Sequence, residues 1–149
     1  MFKILFVLHL LAAIFAVGPL IHAATTASRG IRQGNPAATA YSSRMAKIYA
    51  YVSVLVIVFG FGLMSSTSPF THQETASFTE TWIWLSLVLW AVAVALTLGV
   101  IAPTLDKATA ALGSGEKVTN LTGRVAASGG VVGLIFAAVV VLMVYQPGG

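Results

Sequence analysis

Four stretches of this chain, residues 4–24, 48–65, 81–102 and 125–145, contain no Asp, Glu, Lys or Arg. Each is close to the ~20 apolar residues that carry an α-helix across a bilayer core. The pattern predicts an all-α, polytopic membrane protein: four transmembrane helices in an antiparallel bundle. The chain is 149 residues long, so the four spans nearly use it up and leave one domain, 1–149, with no room for a soluble catalytic module.

The cations fall unevenly between these spans. The first connection carries Arg29, Arg32, Arg44 and Lys47, and the third carries Lys107, Lys117 and Arg124. The middle connection, residues 66–80, carries no Lys or Arg, and Lys3 is the one cation beside a terminus. Positively charged short loops stay in the cytoplasm. The expected orientation is therefore N-out and C-out, in the plasma membrane, with the middle loop outside. Lys3 followed by an apolar run that ends near Ile21-His22-Ala23-Ala24 also has the form of a signal peptide. Cleavage there would send Arg29 to Lys47 outward against the bias, so the segment reads as a true first span.

Composition narrows the functional classes. The chain is 58% hydrophobic and 8% charged, with a formal net charge of +4. Soluble domains carry about 25% charged residues. The basicity belongs to the cytoplasmic loops, where it suits contact with anionic lipid. No basic–aromatic surface is left for nucleic acid, so no such partner is expected. Without cysteine the chain has no disulfide, thiolate metal site or covalent haem attachment.

Local signals place the helix ends. Gly34 suits a left-handed cap at the end of helix 1, and Asn35-Pro36 suits the start of helix 2. Ser77-Phe78-Thr79-Glu80 has the capping-box spacing and is expected to open helix 3. Pro103 is expected to kink that helix near Gly99, with a break at Gly113-Ser114-Gly115 and an end to helix 4 at Gln146-Pro147. Trp82, Trp84 and Tyr145 mark one interface, and Tyr41, Tyr49 and Tyr51 the other.

Small residues recur at helical spacing: Ala91, Ala95 and Gly99 in helix 3, and Gly129, Gly133 and Ala137 in helix 4. Such stripes let backbones approach closely, which matters in lipid because apolar burial no longer drives helices together. They fit packing inside the bundle or docking onto a neighbouring subunit, and both readings stand at this point. Pro69, Phe70 and His72 in the outer loop are candidate contacts for such a partner.

The spans contain two ionisable residues, His9 and His22. His9 precedes Ala12, Ala13 and Ala16 at helical spacing and so points along a small-residue face. An intramembrane His is a functional candidate by default. With Met64, Met143 or His72 it could serve haem or copper; alternatively it bonds a carbonyl or hydroxyl across the bundle, on helix 3 or 4. His22 reads as an interfacial residue. No span holds a carboxylate, Lys or Arg, and no nucleophile–base–orienter set or phosphate loop is present. The isolated chain is therefore expected to be no enzyme, with no catalytic residue and no metal site.

Phe2-Lys3-Ile4-Leu5-Phe6-Val7-Leu8-His9, the Arg-bearing first loop, and a Trp-rich helix 3 ending in Ile101-Ala102-Pro103-Thr104-Leu105 resemble the small four-helix integral membrane proteins of actinobacteria. Proteins similar to these occur as accessory subunits of the respiratory supercomplex of cytochrome bcc and cytochrome c oxidase. The resemblance implies a non-catalytic subunit with other membrane subunits as partners. The first helix is also similar to that of the haem-binding protoporphyrinogen-oxidase type and of copper-resistance membrane proteins, which implies His9 as a cofactor-binding residue. A membrane Lys accompanies that His in the haem-binding type, and this chain has none. No resident cofactor is expected on the first implication, and haem through His9 on the second.

Overall fold

The computed structural model describes residues 1–67, 69 and 76–147. Among these residues are four helices long and apolar enough to cross a membrane: α1 (Phe2–Arg32), α2 (Pro36–Met64), α3 (Thr81–Gly113) and α4 (Asn120–Tyr145). Each extends beyond the charge-free stretch that announces it, so the Lys and Arg residues of both hairpins project from one end of the bundle. That end is called the basic end below, and the opposite one, where α1 begins and α4 ends, the terminal end.

Both hairpins at the basic end are built by one device. Gly34, at φ 60°, donates its N–H to the Ile31 carbonyl while Asn35 donates to Gly30. Gly115, at φ 83°, donates to Leu112 while Glu116 donates to Ala111. This paired closure satisfies the last carbonyls of a helix and needs a left-handed residue, which glycine adopts without a steric penalty. α2 then starts at once, with Pro36 in its first turn and Asn35 Oδ1 accepting from the Ala38 N–H at 3.0 Å. At the other end, α4 stops at Gln146, itself left-handed at φ 44°.

The start of α3 differs from the expected capping box. The helix opens at Thr81, after a turn in which Glu80 Oε1 accepts from the Ser77 N–H at 2.8 Å. Only that half of the box forms, because Ser77 Oγ turns to the Thr79 N–H instead. The other oxygen of Glu80 accepts from the Trp82 indole, which ties the turn to the first residues of α3.

Two of the spans contain a widened π turn, Ala13–Val17 in α1 and Thr97–Ile101 in α3. In each, the bond runs back five residues: Gly18 N–H to Ala13, and Ala102 N–H to Thr97. Each turn ends two residues before a proline, Pro19 or Pro103. A proline ring clashes with the carbonyl four residues back, and a wider turn moves that carbonyl away. The kink expected at Gly99 thus takes this form, and α1 has a counterpart that the sequence reading did not anticipate.

The four helices pack in sequence order, α1 against α2, α2 against α3, α3 against α4 and α4 against α1. The main core lies toward the basic end, around Leu20, Ile101, Leu105 and Val125, all fully buried. Toward the terminal end the helices associate as two pairs. The first stretch of α1, Phe2–Ala12, buries no residue and lies along the Val54–Met64 stretch of α2. The Thr81–Leu96 stretch of α3 lies along α4. Met64, against Trp82 and Ile83, joins the two pairs at their tips.

Candidate functional site

His9 sits where α1 and α2 are paired. Its Nδ1 lies 2.9 Å from the Val56 carbonyl oxygen on α2, so the partner is on helix 2 and not on helix 3 or 4 as expected. A carbonyl only accepts, so Nδ1 carries the proton and a neutral ring keeps its lone pair on Nε2. The glycines of α2 make this approach possible. A Cβ on Gly60 would stand 3.3 Å from His9 Cε1, and one on Gly62 would stand 3.3 Å from Leu5 Cδ2. His9 is half-buried, and among the described residues its Nε2 meets no hydrogen-bond partner.

Neither methionine considered as a second ligand for His9 is turned toward it. Met64 faces Trp82 and Ile83, and Met143 is exposed. Among the described residues no group of three or more His, Cys, Asp or Glu side chains could hold a metal ion. His72 and Phe70 lie outside the described residues, while Pro69 is exposed and lines a cleft with Lys3 and Ser65. His22 is exposed toward the basic end.

The two small-residue stripes have different surroundings. Gly129 is buried against the α1 backbone at Ala24, and Gly133 faces Thr25 and Ile21. These two belong to packing within the bundle, whereas Ala137 is exposed. In α3, Ala91, Ala95 and Gly99 are all exposed, and a Cβ on Gly99 would meet nothing within 4 Å. That face takes no part in holding this bundle together.

A family model described as predicted integral membrane protein (DUF2269) matches residues 3–147. The chain belongs to this family. No curated protein and no solved structure matches it.

At the basic end this family member has a polar cluster that sequence reasoning missed. Asp106 of α3 accepts from Ser43 Oγ at 2.5 Å and from Lys47 Nζ at 2.6 Å, both on α2. Thr39 and Thr109 join the same two helices through their hydroxyls at 2.8 Å. Nearer the middle of the span, the Trp90 indole donates to Ser53 Oγ at 3.1 Å. The signal for the cluster was present in Ser43 and Lys47, which share a helix face four residues apart. Asp106 lies three residues past Pro103, in the stretch of α3 beyond the charge-free run, and its sequence neighbours do not indicate which helix supplies its partners.

Proposed function

We propose that the chain is a non-catalytic accessory subunit that docks laterally onto the membrane subunits of a respiratory complex. The observation that carries this reading is the outward stripe of Ala91, Ala95 and Gly99. Mobile lipid chains gain little from a flat helix face, whereas a second helix gains close backbone contact along it. Resemblance to accessory subunits of the cytochrome bcc–oxidase supercomplex supports the choice of partner. The seven-to-one distribution of cations supports the orientation in the plasma membrane, with the basic end in the cytoplasm.

The test is purification of a tagged chain from native membranes in a mild detergent. Haem-containing oxidoreductase subunits should accompany it in stoichiometric amounts. Ala95→Leu should abolish that association without altering the melting temperature of the isolated chain. Recovery of a lone monomer, under conditions that keep such complexes intact, sinks the reading.

A second reading follows from His9. A metal-binding imidazole commonly donates its other nitrogen to a carbonyl, which fixes the ring and the tautomer. His9 has that arrangement through Val56, and its Nε2 is left for haem iron or copper. A Soret band or bound copper that disappears in His9→Ala would support this role, and a colourless, metal-free protein would end it.

A further inference from the structure

The groove between α2 and α3 at the basic end combines unspent positive charge with an apolar continuation into the span. Its polar part holds Ser43, Arg44, Lys47 and Asp106. Both carboxylate oxygens of Asp106 are occupied, one by Ser43 and the other by Lys47. Arg44 is exposed, and among the described residues its guanidinium has no acceptor. Two cations against one carboxylate leave the groove with a net positive charge.

Following α2 toward the middle of the span, the same groove is lined by Ile48 and Tyr51. Tyr51 is 67% exposed, and Leu55, one turn further along, is 46% exposed. From Arg44 to Leu55 the surface thus passes from guanidinium through phenol to hydrocarbon over about 16 Å at helical rise. A phospholipid presents the complementary order: phosphate, glycerol esters, acyl chain.

We propose that this groove binds one anionic phospholipid. Its phosphate pairs with Arg44 and with the free N–H groups of Lys47, and one acyl chain runs along Ile48 and Leu55. The planar fork of Arg matches phosphate oxygens two at a time. The net charge favours a headgroup without its own cation, since a choline would bring a second positive charge to a positive groove. The Lys47–Asp106–Ser43 contacts join α2 to α3 along the groove and occupy both oxygens of the carboxylate. The lipid binds whether or not a partner covers α3.

The test uses the full chain in phosphatidylcholine nanodiscs containing a minor fraction of photoreactive phosphatidylglycerol. Labelling should map to the α2 residues between Ile48 and Leu55. Arg44→Gln should reduce it by about fivefold, the effect of one interfacial Lys or Arg contact. Arg44→Lys should retain most of the labelling. Arg124→Gln, exposed at the same end, should leave it unchanged. Excess inorganic phosphate should not compete, because it lacks the acyl chain. Equal labelling in Arg44→Gln, equal loss in Arg124→Gln, or equal labelling by photoreactive phosphatidylcholine would each overturn the proposal. Competition by phosphate would assign the site to a free anion and overturn the lipid assignment.

Discussion

Gly129 of α4 lies so close to α1 that a Cβ there would collide with the Ala24 carbonyl oxygen. The obstacle is backbone, so no side chain can swing aside to relieve it. Gly129→Ala should therefore force α1 and α4 apart, at a cost of about 1–3 kcal/mol or more. Its neighbour Gly130 is exposed with open space around it, and Gly130→Ala should be neutral or stabilise by up to about 1 kcal/mol. Unfolding in mixed micelles of SDS and mild detergent, followed by Trp fluorescence, separates the two variants. Equal behaviour would mean that α1 and α4 do not cross at this residue.

His9 and Gly60 should behave as a coupled pair. His9→Ala removes a single neutral hydrogen bond and should cost about 1 kcal/mol. Gly60→Ala pushes a methyl toward the edge of the imidazole, which can yield by a few tenths of an ångström. In the His9→Ala background that pressure is gone, and Gly60→Ala should then be harmless. The difference between the two backgrounds, measured by the same unfolding assay, reports the contact directly.

The Lys47–Asp106 ion pair joins α2 to α3, yet its side chains are 43% and 50% exposed. Screening at that exposure should hold the coupling energy of a Lys47→Met, Asp106→Asn double-mutant cycle below about 1 kcal/mol. The coupling should also shrink as salt is raised, since the Debye length is about 8 Å at physiological ionic strength. A larger, salt-independent value would place the pair in a much drier setting.

Orientation can be read with single cysteines, because the chain has none of its own. Gln33 and Ser114 are exposed at the two hairpins, and Thr79 is exposed at the opposite end. A membrane-impermeant maleimide applied to whole cells should label Thr79→Cys and spare Gln33→Cys and Ser114→Cys. The reverse pattern would turn the bundle over and place the proposed lipid groove in the outer leaflet.

The features legible in the sequence were those set by neighbours along the chain. Gly34, Asn35-Pro36 and Gly115 announce helix ends through requirements of the backbone alone, and each does so in the structure. The spans were equally plain, because lipid demands long uncharged runs. Which small residues face inward was not legible. Gly129 and Gly99 belong to similar stripes, and only the position of α1 makes one indispensable to the bundle and leaves the other bare. The partner of His9 was missed for a related reason. The Val56 carbonyl is a backbone group, and no residue type in the sequence advertises it. Pro19 lies between His9 and His22, and the widened turn before it changes the angle between them from that of an unbroken helix.

The widened turns before Pro19 and Pro103 each hold one residue more than an ordinary helical turn. The two halves of α1, and likewise of α3, are therefore phased independently about the helix axis. A relative without the proline has no clash to relieve and can close that turn by losing a single residue. Gapless alignment of such a relative would keep one half of the span in step and set every residue of the other half one place out of register. Comparisons of inward and outward faces across the family should accordingly be made half-span by half-span, with the proline as the divider.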